Sequence, residues 1–179
     1  MTTALLIIDI QNDYFPGGRM ELHHADAAGL QASRLLAHFR TSGQTVLHVR
    51  HIANDPAATY FLPDTLGVEI HTLVQPEKGE AVITKHTPNS FHETDLKARL
   101  DAHGIDRLVI AGMMTHMCVD SSVRAASDAG FDCVVVSDAC ATRDQTYAAT
   151  TVGAESVQTA FLAALSGTFA TVLPLNEVI

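Results

Sequence analysis

The 179 residues carry a formal net charge of −9, and 47 % of them are hydrophobic. A chain of this length is most simply one domain over residues 1–179, and its 11 scattered basic residues argue against nucleic acid or an anionic membrane as a partner. No apolar run approaches the ~20 residues of a membrane span, only three cysteines occur and the N-terminus lacks signal-peptide features, so we expect a cytoplasmic protein.

Short apolar runs alternate with helical patterns in the first half of the chain. Residues 4–10, 45–49 and 81–85 are the apolar runs, and each predicts a strand. Between the first two, apolar residues recur at helical spacing from Ala28 to Phe39, and Gly43 can end that helix. Residues 51–80 lack periodicity, which predicts a long loop of the kind that is often functional.

The second half continues the alternation. Thr94 can cap a helix over 95–103, and further helices are predicted over 118–129 and 146–165. Strands are predicted over 107–112, 133–139 and 169–173. Alternating strands and helices favour right-handed crossovers and a sheet covered on both faces. The predicted fold is α/β, a three-layer α/β/α sandwich with a mainly parallel sheet of about six strands.

Reactive side chains stand at the carboxyl ends of three predicted strands. Asp9 ends the first strand, Lys85 ends the third, and the loop from Gly112 to Cys118 leaves the fourth. In open parallel sheets, ligands bind beyond the carboxyl ends of the strands. We therefore expect these three side chains to meet in one crevice.

Each of the three has a structural interpretation beside the functional one. Cysteines are commonly small buried residues, and Cys133 and Cys140 are interpreted in this way. Cys118 differs because it begins a predicted helix, where the dipole and free amides favour a thiolate. Asp9 is either a carboxylate that binds local amides or a general base with a raised pKa. Lys85 is either a solvated surface lysine or the cation that balances the other two.

Two other chemistries have weaker support. Cys118 and Arg124 have the C-x5-R spacing of phosphatases, in which the intervening residues cradle a phosphate. Here those residues are VDSSV, which lacks glycine and is typical of a helix. The ten histidines show no H-x3-H spacing, and no nucleotide-binding motif occurs, so we predict neither a metal nor a cofactor.

Three segments resemble the isochorismatase-like cysteine hydrolases, a superfamily that includes isochorismatases, nicotinamidases and N-carbamoylsarcosine amidases. The segments read LLIIDIQNDY, VITKHTPNSF and VIAGMMTHMCVDSSVRAASDAGF, and the similarity extends over essentially the whole chain. The resemblance implies the Rossmann-like fold of these hydrolases, with Asp9, Lys85 and Cys118 as the catalytic triad. It also implies a cis peptide bond between Met113 and Met114, and an oxyanion hole formed by the backbone N–H groups of Met114 and Cys118.

The chain matches the family pattern after the first strand and departs from the nicotinamidase pattern after the second. Gln11 and Asp13 match the D-x-Q-x-D start of the family and are expected to order the loop that carries the first carboxylate. Nicotinamidases have a metal-binding D-x-H after the second strand, whereas this chain has His51 and Ala53 at those places. The departure argues against both a bound metal and nicotinamide as the substrate.

The predicted function is hydrolysis of a C–N bond in a small amide or ureide, through a thioester on Cys118. True isochorismatases cleave a vinyl ether and do not require the cysteine, so its retention favours C–N hydrolysis. Vinyl-ether hydrolysis and a catalytically degenerate binding or assembly protein stay as alternatives. The expected partners are a small-molecule substrate and, as in relatives, further copies of the chain.

Aromatic and methionine side chains from loops beside the triad are predicted to form the walls of the substrate pocket. They are Tyr14, Phe15, Tyr60, Phe61, Phe91, Met113 and Met117.

Overall fold

The computed structural model describes residues 1–179. Its eight strands are β1 (Thr3–Ile8), β2 (Thr45–His51), β3 (Ala81–Lys85), β4 (Arg107–Met113), β5 (Asp132–Ala141), β6 (Gln145–Tyr147), β7 (Thr150–Val152) and β8 (Thr171–Leu173). Its four α-helices are α1 (Ala25–Thr41), α2 (Leu96–Ala102), α3 (Asp120–Asp128) and α4 (Ala154–Leu165). None of these helices has the length and apolar character that a membrane crossing requires.

Six strands form one sheet in the order β3-β2-β1-β4-β5-β8, and every neighbouring pair is parallel. The predicted α/β sandwich is therefore confirmed. The strand order reverses between β1 and β4, because the chain extends the sheet outward from β1 in one direction and then returns to the other side of it. At such a switch point the crossover connections diverge and leave a crevice above the carboxyl ends of the strands.

Each face of the sheet has its own hydrophobic core. Along β1, Leu5 and Ile7 face the core that α1 covers, whereas Leu6 and Ile8 face the opposite core. This alternation is the period of two expected for a strand buried on both faces. Helices α2, α3 and α4 all contribute to the second core, so the two faces are covered unequally.

Gly112 allows the two central strands to approach each other at the switch point. It pairs with Ile8 across β1 and β4 and has a φ of 154°. A Cβ atom at this position would lie 2.3 Å from the carbonyl oxygen of Ile8. Only glycine fits there, because any side chain would force the strands apart.

The helix predicted over residues 146–165 is wrong in its first part. Strands β6 and β7 form an antiparallel hairpin instead, which turns at Ala148 with a φ of 52°. The β-branched Thr150 and Thr151 suit an extended conformation. Helix α4 begins only after Gly153, where the amide of Ala154 donates to the carboxylate of Asp144 at 2.8 Å. This contact between residues ten apart gives no local sequence signal.

The helix predicted over residues 118–129 begins earlier. A π-helical turn over Thr115–Val119 leads directly into α3. Cys118 therefore lies within helical backbone and not at its first residue. The long loop between β2 and β3 contains only two short 3-10 turns, Leu66–Val68 and Thr72–Val74.

Candidate active site

The ends of β1, β3 and β4 bring Asp9, Lys85 and Cys118 together, as predicted. The Lys85 Nζ atom lies 2.6 Å from Oδ2 of Asp9 and 3.3 Å from Sγ of Cys118. All three side chains are buried. The lysine ammonium therefore bridges the carboxylate and the thiol in a site closed to bulk water.

The ammonium of Lys85 has a third partner, the ring nitrogen Nδ1 of His51, at 3.0 Å. The ammonium therefore forms an ion pair with Asp9 and hydrogen bonds with Cys118 and His51. Burial disfavours the charged form, but the nearby Asp9 and Cys118 outweigh it and raise the pKa of Lys85. The lysine stays protonated and acts as a fixed positive charge.

Asp9 stands where β1 ends and adopts a left-handed backbone conformation, with a φ of 51°. Such residues are uncommon outside glycine and cluster at functional sites. Its Oδ1 atom has no hydrogen-bond partner in the protein. Burial raises the pKa of Asp9, and the charge of Lys85 offsets part of that effect. The free oxygen is a ready acceptor for a proton from a neighbouring group.

A helix start favours a thiolate, but burial acts against it at Cys118. Burial, followed by the charge of Asp9, raises the pKa of the Cys118 thiol above its ordinary value, and Lys85 only partly compensates. Cys118 is also not the first residue of the helical backbone, because it lies within the π-helical turn Thr115–Val119. Cys118 rests as a neutral thiol. The other two cysteines are also thiols, since burial raises the pKa of Cys133 and of Cys140 to about 12.

His51 is the site residue that the sequence did not single out as functional. It is paired with Lys85 in the register of β2 and β3, so both side chains leave the sheet at the same level. Burial and the charge of Lys85 lower the pKa of His51 to about 3, which keeps the imidazole neutral. The signal that could have found it is this register, because the predicted strand 45–49 ended two residues too early.

The side chains of Asp9, His51 and Cys118 could in principle hold a metal ion, because their ligand atoms lie within 4.8 Å of one another. The Lys85 ammonium, however, lies 2.6 to 3.3 Å from all three. A second cation would meet this charge at close range. These residues therefore fit an internal ammonium and do not fit a metal ion.

Gln11 holds His51 by its backbone. The Gln11 carboxamide accepts from the N–H of His51 at 2.8 Å, and it donates to the carbonyl of His51 at 2.9 Å and to that of Val68 at 2.7 Å. The amide thus closes the end of β2 against the long loop. Gln11 orders the site and has no free group with which to react.

Asp13 anchors the long loop between β2 and β3. Its carboxylate accepts from the N–H of Phe61 at 2.6 Å and from that of Arg19 at 3.2 Å. A Cβ atom on Gly67 would lie 2.1 Å from the same carboxylate, so glycine is needed for the approach. This anchoring fixes the backbone beside Tyr60.

Three of the aromatic residues predicted to line the pocket form one cluster. The ring centroids of Tyr14 and Phe61 lie 4.6 Å apart, and those of Tyr60 and Phe61 lie 5.0 Å apart. Burial is the main cause that raises the pKa of both tyrosines.

The other predicted pocket residues have different surroundings. Phe15 stacks on His71 with ring centroids 3.6 Å apart, and Phe91 lies against Phe131 at 6.0 Å in the core under α2 and α3. Met113 is fully buried and Met117 is 39 % exposed.

The peptide bond between Met113 and Met114 is cis, at the position expected from the resemblance. Because β4 ends at Met113, the bond lies at the switch point, directly before the π-helical turn that carries Cys118.

The phosphatase interpretation is wrong. The residues between Cys118 and Arg124 are helical and form no phosphate cradle. Arg124 makes two hydrogen bonds of 2.9 Å to Asp120, one turn earlier on α3, and its guanidinium lies over the ring of Phe169. It stabilises the helix surface and does not point to the thiol.

Comparison with known proteins agrees with this geometry. A family model described as the isochorismatase domain matches residues 3–177. An uncharacterised isochorismatase family protein of Bacillus subtilis, YddQ, is 52 % identical over 96 % of each chain. The maleamate amidohydrolase of Pseudomonas putida is 31 % identical over 74 % of this chain and 69 % of its own.

A crystal structure of an Oleispira antarctica protein assigned to the isochorismatase hydrolases superposes with a TM-score of 0.95. It is 49 % identical and covers 99 % of this chain and 95 % of its own. These similarities agree with the parallel sheet, the ion pair of Asp9 with Lys85 and the buried Cys118. The chain belongs to the isochorismatase family and is a hydrolase.

Proposed function

We propose that this hydrolase cleaves the C–N bond of a small amide or ureide through a thioester on Cys118. The observation that carries the proposal is the buried ammonium of Lys85, in contact with Asp9 on one side and Cys118 on the other. The amidohydrolase among the relatives supports C–N chemistry.

The first half of the reaction forms the thioester. Asp9 takes the thiol proton of Cys118 as Sγ attacks the substrate carbonyl carbon, and the carbonyl π electrons move to oxygen. The N–H groups of Met114 and Cys118 stabilise that oxyanion. Asp9 then gives its proton to the substrate nitrogen, the oxyanion re-forms the carbonyl as the C–N bond breaks, and the amine or ammonia leaves the thioester behind.

The second half releases the acid. Asp9 accepts a proton from a water molecule as the water oxygen attacks the thioester carbonyl. The tetrahedral intermediate collapses, the C–S bond breaks, and the acid product leaves. The sulfur of Cys118 recovers the proton from Asp9, which returns the site to its starting state.

Lys85 makes the proton transfer feasible inside a buried site. Before the transfer the negative charge is on Asp9, and after it the charge is on Cys118. In both states the charge lies beside the same ammonium, so the net charge of the three groups is unchanged. Burial penalises a change of net charge far more than a shift of charge within an ion pair. The raised pKa of the thiol is therefore compatible with its role as the nucleophile.

A panel of small amides and ureides tests the proposal, with released ammonia as the readout. We expect hydrolysis of at least one member, and we expect activity to survive exhaustive chelation because an ammonium already lies among the three candidate metal ligands. The Cys118→Ala protein, purified in the same way, is the control for contaminating amidases. Loss of activity on chelation, restored by zinc or manganese, would contradict metal independence; vinyl-ether cleavage without amide cleavage would contradict the reaction class.

A further inference from the structure

The neutral imidazole of His51 has a tautomer that the structure determines. Lys85 is an ammonium and can only donate, so Nδ1 of His51 accepts its proton at 3.0 Å. A neutral imidazole with Nδ1 as acceptor carries its single proton on Nε2. The Nε2–H group is therefore a donor whose direction is set by a fixed ring.

This donor has no partner in the protein. No hydrogen bond joins Nε2 of His51 to any other group, although Gln11 holds the backbone of the residue in both directions. His51 also lines a cavity of about 130 Å³ together with Tyr60, Phe61 and His86. Because Nδ1 of His51 contacts the Lys85 ammonium at 3.0 Å, the cavity that His51 lines adjoins the triad.

From these contacts we infer that His51 is a substrate-recognition residue, whose Nε2–H donates to an oxygen acceptor on the acyl part of the substrate, beyond the scissile carbonyl. The inference rests on the proposed amidohydrolase function and restricts the range of substrates. The substrates are small amides that carry a second carbonyl or carboxylate oxygen. The residue acts twice, since Nδ1 orients Lys85 and Nε2 selects the substrate.

Two substitutions separate these roles. The side-chain oxygen of His51→Asn stands near the place of Nδ1, so it keeps an acceptor for Lys85 and loses the distal donor. The amide of His51→Gln reaches the place of Nε2, so it keeps the distal donor and loses the acceptor. His86→Asn is the matched control, because His86 lines the same cavity while its Nδ1 is paired with the carbonyl of Ile52 at 2.8 Å.

The substrate test compares three amides of similar length, namely butanamide, levulinamide and succinamate. The first has a methyl group where the others have a ketone or a carboxylate, so the pair of oxygen-bearing amides also distinguishes a neutral acceptor from an anionic one. We expect the wild-type enzyme to prefer an oxygen-bearing amide over butanamide in kcat/KM. In His51→Asn this preference falls by about 10- to 100-fold, mainly through KM, as expected for loss of a buried hydrogen bond. His51→Gln and His86→Asn keep it.

The second readout is alkylation of Cys118 by allyl iodide, which has no oxygen acceptor. We expect His51→Asn to match the wild-type rate and pH profile within about twofold, because the acceptor for Lys85 remains, whereas His51→Gln shifts the profile. An unchanged substrate preference in a His51→Asn protein whose alkylation is normal overturns the inference. If His51→Asn does not fold, loss of the preference in His51→Gln overturns it instead.

The inference can fail separately from the proposed function. If the wild-type enzyme releases ammonia from no amide, the proposed function fails, and protection of Cys118 from allyl iodide by levulinamide or succinamate becomes the readout. Protection that is present in the wild-type protein and at least tenfold weaker in His51→Asn supports the recognition role. No protection in the wild-type protein, or equal protection in both, overturns it.

Discussion

Replacement of Cys118 by alanine is expected to abolish amide hydrolysis, to the level of a blank. Of the three groups that contact the Lys85 ammonium, the thiol is the strongest nucleophile, and without it the thioester cannot form. The substitution removes a single sulfur atom from a buried position, so the domain should still unfold cooperatively. Ammonia release and thermal unfolding, measured on the same preparation, check the two expectations.

Two kinds of control accompany Cys118→Ala. Cys133→Ala and Cys140→Ala remove buried thiols that lie outside the triad, and both should keep activity within a few-fold. Cys118→Ser retains an acceptor for Lys85 and should also be inactive, because a hydroxyl at this position is a far weaker nucleophile. Full activity in Cys118→Ala with loss of activity in Asp9→Asn would favour vinyl-ether cleavage, a reaction that does not require the cysteine.

Replacement of Asp9 by asparagine is expected to lower kcat by about 10²–10⁴-fold, the usual contribution of a positioned acid–base group. The amide has nearly the shape of the carboxylate but cannot accept the thiol proton. The pH dependence of the wild-type enzyme should show the same group. Burial raises the pKa of Asp9, so the acid limb of the kcat/KM profile should lie at a higher pH than the limb that an ordinary aspartate produces. The base must be ionised, so activity is present above this pKa and lost below it.

Asp132→Asn is the matched control for Asp9→Asn. Asp132 pairs with Arg107 at 2.6 Å at the amino end of β5, whereas the triad lies at the carboxyl ends of the strands. Its loss should leave kcat unchanged within about twofold. Turnover by Asp9→Asn within tenfold of the wild-type value would show that another group takes the thiol proton.

The parts of the site that the sequence predicted depend on strand ends. An apolar run that stops at a charged residue is visible without a structure, and parallel strands bring such ends to one edge of the sheet. For this reason Asp9, Lys85 and the loop to Cys118 could be placed together. The pairing of Gln11 and Asp13 with distant backbone groups could not be predicted, because their partners lie 40 or more residues away in the chain.

The parts that failed have different physical reasons. The Ala-rich stretch over residues 146–165 favoured one long helix, whereas residues 145–152 form a largely exposed local hairpin with its turn at Ala148. The position of Cys118 at a predicted helix start favoured a lowered thiol pKa, but burial raises that pKa instead. His51 was missed because a slightly longer β2 was needed to bring it level with Lys85.

Mass spectrometry of the enzyme, quenched in acid during turnover of its best amide, tests directly whether Cys118 carries the acyl group. We expect the mass of the protein to increase by that of the acyl group, the addition to map to the peptide containing Cys118, and hydroxylamine to remove it as it does a thioester. A protein that turns over the amide at the same rate while its mass stays unmodified, including with a substrate whose second half-reaction is slow, would contradict nucleophilic catalysis by Cys118.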